Sequence, residues 1–424
     1  MSATPESPPH AVTPTGGPLA GGGGPLAGGE GSPAAPRQGL SLELLLGTLS
    51  AFAPMSIDMY LPAFPSIGRE LGAGPDRVQL TLASFFVGLA FGQLATGPLI
   101  DRFGRTRPLY AWLVLYVLGS VGCALAPSIE ALVGFRALQA FGGASGLVVA
   151  RAVVRDLNSG AAAARMLSRL VLVMGVAPIL APLAGGLLLR VSGWRAIFGT
   201  LAAFGAITLA AVLAWLPETL PPAARRPGLR LQVGPVLRAP GFLAHVLAVS
   251  FAQGAMFAYI SGASFAYITL YGVSAQSFGW FFGANAAGLV ASSQANRRLL
   301  VRKAPARVLR AALLVAIGAG FALVATTATG AGGLWGVAAP LFVFLSSLGF
   351  IVPNATALAL EHQVGQVGAA SAVLGTIMYG VSACASWAVS AAHDGSARPM
   401  ALTVTASALL ARASLLLAGR DGTR

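Results

Sequence analysis

Charge is what this chain most conspicuously lacks. Charged residues make up 9% of its 424 positions, and only 13 of them are acids. Soluble domains carry roughly a quarter charged residues, so a globular protein covering its core with a polar surface is excluded. Lysine is nearly absent, Lys303 standing alone among 27 basic residues. The two cysteines, Cys123 and Cys384, lie inside apolar runs without metal-like spacing, which excludes a disulfide framework and a zinc site and leaves both as small packing residues. The four histidines, His10, His245, His362 and His393, are scattered. No nucleophile–base pair or metal cluster for an enzyme is visible. No metal and no cofactor are expected.

Apolar residues fill the space instead: 56% of the chain is hydrophobic and the mean hydropathy is +0.76. A membrane crossing needs roughly 20 mostly apolar residues, so the chain reads as an all-α integral membrane protein with the bilayer as its main solvent. Residues 1–38, rich in Gly, Pro, Ala and Ser with a near-repeat at 16–20 and 23–27, form a disordered tail. They hold no basic segment before an apolar one, which argues against a cleaved signal peptide. Apolar runs between polar or Gly/Pro breaks place helices near 40–63, 78–98, 108–126, 130–153, 167–189, 195–216, 241–270, 276–296, 307–327, 333–358, 367–391 and 399–418. The longest internal connection, 217–240, carries prolines that rule out a continuous helix. It separates two six-helix halves, 39–216 and 241–418, with 419–424 as a short tail. Such a duplicated bundle is the architecture of many secondary transporters.

The net charge of +14 does not point to nucleic acid, because phosphate-binding cations gather on one soluble face and these punctuate apolar runs. They read as topology signals. With both termini in the cytoplasm, the inside loops hold Arg102, Arg105, Arg107, Arg151, Arg155, Arg165, Arg169, Arg225, Arg226, Arg230, Arg238, Arg297, Arg298, Arg302, Lys303, Arg307 and Arg310. The outside loops hold only Arg69, Arg77, Arg190, Arg195 and Arg398, as the positive-inside rule requires.

The sharpest motif runs from Gly97 to Arg107, reading GPLIDRFGRTR. Gly97 and Pro98 are expected to stop the second helix, and Gly104 to permit a turn that a Cβ would strain. Asp101 can bridge to a basic residue, and Arg102 and Arg105 can reach carboxylates such as Asp156, forming a latch that biases one conformation. A plain topological anchor is the competing reading. Asp58, in IDMYLPAFP at the end of the first helix, is the candidate proton carrier: an ionised carboxylate in or near hydrocarbon is costly, and such acids are functional by default. The alternative is a wet outer helix end where Asp58 merely satisfies backbone donors. Arg136 lies inside the fourth helix and must find a carboxylate, a carbonyl or water unless it snorkels to the interface; Gln139 follows one turn on. Gly175, Pro178, Pro182, Gly185 and Gly186 give the fifth helix a small, kinkable face. Tyr60, Gln139, Gln253, Tyr259, Tyr267, Asn285, Asn354 and Tyr379 are the candidate substrate contacts, since a drug-sized pocket is mostly apolar with a few placed polar groups.

Taken together these stretches resemble the major facilitator superfamily. GPLIDRFGRTR resembles its motif A, RALQAFGG at 136–143 its motif B, and GVAPILAPLAGG at 175–186 its antiporter motif C. IDMYLPAFP at 57–65, PNATALALE at 353–361 and GAASA at 368–372 resemble the bicyclomycin-resistance (Bcr/CflA) branch of drug:proton antiporters. The resemblance implies a twelve-helix, proton-coupled exporter of drug-like molecules in the bacterial cytoplasmic membrane, working as a monomer, with Asp58 and Arg136 in proton transfer. Its partners would be small-molecule substrate, protons and lipid bilayer. A transporter of the same fold dedicated to one metabolite or self-made antibiotic, whether exporter or importer, is the alternative; an embedded enzyme or sensor is a remote one. Three departures stand out: Ala181 replaces a motif C glycine, SGASF at 261–265 lacks an expected Ser-Pro-Phe break, and the loop NRRLLVRK at 296–303, placed like motif A in the second half, has no acid matching Asp101.

Overall fold

The computed structural model describes residues 40–158, 160–225, 233–239, 241–361 and 367–421. Residues 1–38, part of the 217–240 connection and the last three residues lie outside them. Among the described residues the regular structure is entirely helical. The long helices are α1 (Leu40–Asp58), α3 (Pro75–Phe103), α4 (Thr106–Ala124), α5 (Ile129–Leu157), α6 (Gly160–Trp215), α8 (Phe242–Ser264), α9 (Ala275–Leu299), α10 (Pro305–Thr329), α11 (Gly333–Leu360), α12 (Val367–Ala391) and α13 (Arg398–Asp421). Two short ones, α2 (Phe64–Leu71) and α7 (Val233–Arg238), sit in connections. Ten of the described helical runs are long and apolar enough to cross a membrane. One of these, Val176–Trp215, has 40 residues, about twice what a crossing needs. It breaks at Gly193, whose φ of +77° is open to glycine and strained for other residues. α9 is as long as its neighbours, but Gln276, Asn285, Gln294, Asn296 and the arginines at its end reduce its apolarity.

Helix ends follow local chemistry. Ser128 caps α5 by accepting from the Ala131 N–H at 3.3 Å, and Ser274 caps α9 by accepting from Ser277 at 3.0 Å. Pro75 and Pro305 open α3 and α10, where their missing N–H costs nothing. The structure corrects one expected stop. Gly97 and Pro98 lie inside α3, which continues to Phe103 and ends at Gly104, with φ +93°. Bundle neighbours let a proline bend a membrane helix without ending it, and the positive φ at Gly104 turns the chain. The first helix also ends sooner than expected, at Asp58, and a 3-10 turn, Leu61–Ala63, leads into α2.

α1, α3, α4, α5 and α6 pack mainly against one another, as do α8 through α13; α3 against α12 and α6 against α9 are the broad contacts joining the two groups. Small residues allow these approaches. A Cβ on Gly185 of α6 would collide with the backbone carbonyl of Met59, and one on Gly186 would sit 3.0 Å from the carbonyl oxygen of Ala275 at the start of α9. Gly185→Ala is therefore expected to push α6 off the end of α1 and to destabilise the protein by about 2 kcal/mol, read as a lowered unfolding temperature in detergent. An unchanged temperature would mean that α6 can shift without loss.

Candidate functional site

A fully buried cation sits in the interior. Arg136 projects from α5 and is 0% exposed, so it does not snorkel to the interface. Its guanidinium donates to the Ser56 carbonyl of α1 at 3.0 Å and to the Gln139 amide oxygen one turn along α5. Gln139 in turn donates to Ser120 of α4 at 2.8 Å, and Ser56 shares a 2.7 Å hydrogen bond with Tyr116. The guanidinium carbon lies 4.1 Å from the ring centres of both Tyr60 and Phe85, and 5.6 Å from Phe198. Desolvated cation–π contacts of this kind are worth about 2 kcal/mol or more, so rings and neutral oxygens hold the charge in place of a carboxylate. One donor, Nε, has no partner. Tyr60 is thereby engaged twice, under Arg136 and through its hydroxyl with Thr81 at 3.1 Å.

Asp58 ends α1 beside this cluster and is 3% exposed, with carboxylate oxygen Oδ1 unpartnered. No ion pair joins it to Arg136 among the described residues. The wet helix end considered as the alternative for Asp58 is not what the structure shows. Around it the two groups meet through neutral contacts: Ser264 of α8 donates to the Leu61 carbonyl at 2.6 Å, and Ser390 of α12 donates to the Asp76 carbonyl at 2.5 Å. The Gly185–Met59 and Gly186–Ala275 approaches lie at this same end, so the motif C residues of α6 touch both α1 and α9. Pro178 and Pro182 lie within that helix, as does Gly175, whose surroundings are outside the described residues.

The candidate substrate contacts divide. Tyr259 accepts from Asn285 at 2.9 Å, and the buried hydroxyl of Tyr267 has no partner. Tyr267 sits on a π-helical segment, Phe265–Leu270, which continues α8 where a Ser-Pro-Phe break was expected. A widened turn redirects side chains as a proline kink would. Tyr379 joins an aromatic track, 6.3 Å from Phe257, which lies 4.2 Å from Phe86 of the first group. Asn354 donates to Asn296 and to the Phe350 carbonyl at 2.8 Å each. Gln253 is half-buried on α8.

At the far end of α3 a second cluster forms. Arg105, its side chain 9% exposed, bonds Asp101 at 2.6 Å and Asp156 of α5 at 2.8 Å. Of the motif arginines only Arg105 does this. Arg102 lies over its neighbour Phe103, and Arg107 is exposed. Glu218, just beyond α6, completes the cluster by accepting from the Arg105 and Thr106 N–H groups at 2.9 and 3.2 Å. Burial pushes the Glu218 carboxyl up, but the N–H donors of Arg105, Leu220 and Thr106 outweigh it and hold the group below the ordinary glutamate value. A side chain on Gly104 would collide with this carboxylate. Glu218 lies outside the GPLIDRFGRTR motif and is not among the latch residues that the sequence suggests. Its signal was its position immediately after Pro217, where the chain leaves α6.

Residues 46–386 match the family model described as Major Facilitator Superfamily. The chain belongs to the major facilitator superfamily. Among relatives of this superfamily protein, it is 37% identical over 347 residues to the uncharacterised MFS-type transporter YdgK of Bacillus subtilis, covering 80% of this chain and 86% of that one. It is 33% identical over 375 residues to a bicyclomycin resistance protein homolog of Haemophilus influenzae, covering 87% and 93%. A solved D-xylose–proton symporter superposes with a TM-score of 0.70 over 89% of this chain and 96% of its own, at 14% identity, which shows a shared fold. This superfamily member is thus a multi-pass membrane transporter of small molecules whose relatives include named antibiotic and multidrug resistance proteins.

Proposed function

We propose that this transporter crosses the membrane twelve times as two six-helix halves with both termini in the cytoplasm, and exports drug-like small molecules from the bacterial cytoplasm in exchange for protons. The observation that carries the reading is Asp58: a carboxylate 3% exposed with a free oxygen, lying where the halves meet. A buried charge without a partner is costly, so a proton is the natural occupant of this state, leaving when the site opens to water. Once its proton leaves, the Asp58 carboxylate can answer a cationic substrate, so proton and substrate alternate there; Arg136 is held by neutral partners, the Ser56 carbonyl and Gln139, and forms no ion pair with Asp58 among the described residues. The Tyr259–Asn285 pair and the free Tyr267 hydroxyl supply polar anchors among rings, as a pocket for amphipathic compounds needs. The names of the resistance relatives favour drug efflux over sugar uptake.

The test is transport in vesicles of a fluorescent cationic dye and a neutral antibiotic against an imposed pH gradient. Accumulation should follow the gradient and vanish when a protonophore collapses it. Equal accumulation with and without the gradient would refute antiport, and competition confined to one compound class would indicate a dedicated transporter.

A further inference from the structure

The two basic loops are built differently. Around Arg105 the charge is answered: Asp101, Asp156 and Glu218 all touch that residue. In the second half, Arg297, Arg298, Arg302, Lys303, Arg307 and Arg310 fall within the turn joining α9 to α10 and its flanks, and all six are exposed. No ion pair among the described residues reaches them. The sequence holds no carboxylate between Glu218 and Glu361, and Glu361, at the end of α11, makes no ion pair with them among the described residues. Arg307 and Arg310 also stand in the first two turns of α10, the end of a helix where cations are disfavoured.

The group is shaped as well as charged. Gln294, Arg297, Arg298 and Val301 line a concavity of about 450 Å³. Arg297 is steered by a 3.2 Å hydrogen bond to Gln294, and Asn296 beside it is locked to Asn354 at 2.8 Å, so the arginine pair stands on a rigid base. Val301 at the rim is 83% exposed, an apolar side chain that belongs against acyl chains. Orientation in the membrane requires cations in the loop. It does not require them around a concavity with an apolar rim.

We propose that the α9–α10 turn is a headgroup site for an anionic phospholipid, whose phosphate supplies the counter-charge that Asp101, Asp156 and Glu218 supply around Arg105. Guanidinium forks suit phosphate oxygens in paired geometry, and the headgroup layer brings an anion to this depth with its tails beside Val301. The site does not depend on what the protein carries.

Native mass spectrometry of the full chain in detergent, with equal dioleoyl phosphatidylglycerol and dioleoyl phosphatidylcholine, tests it. Phosphatidylglycerol should be retained with about tenfold preference or more, given the attraction of each basic residue to an anionic headgroup. Arg297→Gln/Arg298→Gln should remove most of that preference, while Arg69→Gln/Arg190→Gln, exposed arginines elsewhere, should leave it. Arg297→Lys/Arg298→Lys keeps the topological charge but loses the forks, so reduced preference in this variant, with unchanged unfolding temperature, separates a site from a misfolded or misinserted chain. Equal retention of the two lipids, or equal loss in the Arg69/Arg190 control, would overturn the proposal. So would displacement of the lipid by millimolar inorganic phosphate, which would mark a site for a free anion.

Discussion

Asp58→Asn is expected to abolish accumulation of substrate against a pH gradient while leaving binding intact. Asparagine matches the shape of a protonated aspartate and keeps a donor and an acceptor, so the buried site should fold unchanged. It cannot release a proton. A gradient of one pH unit is worth about 1.4 kcal/mol per proton, so wild type exchanging one proton should concentrate a neutral substrate about tenfold at equilibrium, and the variant not at all. Equilibrium exchange of labelled substrate across vesicles without a gradient should survive, because it needs only the rocking of the protein. Accumulation by the variant equal to wild type would move coupling away from Asp58, and the structure leaves few places to look. Glu70 and Glu130 pair with Arg195 and Arg77 at exposed positions, and Asp101, Asp156 and Glu218 hold Arg105.

Much of this was legible in the sequence, for physical reasons. Hydrocarbon tolerates neither open backbone nor scattered charge, so each apolar run had to be a helix, and Asp58 and Arg136 stood out as exceptions. What an exception does with its neighbours was not legible. Arg136 needed a carboxylate, a carbonyl or water, and the structure answers with the Ser56 carbonyl, Gln139 and three aromatic rings. Ser56, Tyr116, Ser120 and Phe85 carry no sequence signal, since serine and aromatic residues are common throughout membrane helices. Pro98 misled because a local helix-breaking rule was applied where bundle neighbours override it. SGASF lacks the expected proline, yet the π-helical segment after Ser264 supplies the irregularity by another route. Asn354, a candidate contact because it is polar and intramembrane, also joins α9 to α11 through its bond to Asn296, a pairing with no mark in the sequence.

Arg105→Ala should have the second large effect, at the other end of the first helix group. The substitution removes the bonds to Asp101 and Asp156 and leaves both carboxylates beside Glu218 without their cation. Breaking a fully buried pair costs about 3–5 kcal/mol; Asp101 is nearly half exposed, so about 2–3 kcal/mol is the appropriate scale. That is a shift of roughly 30- to 160-fold in the balance between the state that holds the cluster together and any state that separates it. If the cluster is a latch, gradient-driven transport should fall by at least about tenfold while the unfolding temperature changes little, since a conformer that breaks the contact remains folded. A parallel fall in unfolding temperature would make it a static staple. Arg105→Lys should lie between, retaining charge but losing the two-pronged bond to Asp156. The pH dependence supplies an independent check. Glu218 is held below the ordinary glutamate value, so its contribution is fully present above that value and is lost only as pH falls through the lowered one. Across the neutral range of a transport assay the cluster therefore keeps its charge, and a pH profile that persists in Arg105→Ala but disappears in Asp58→Asn would separate the latch from the proton carrier.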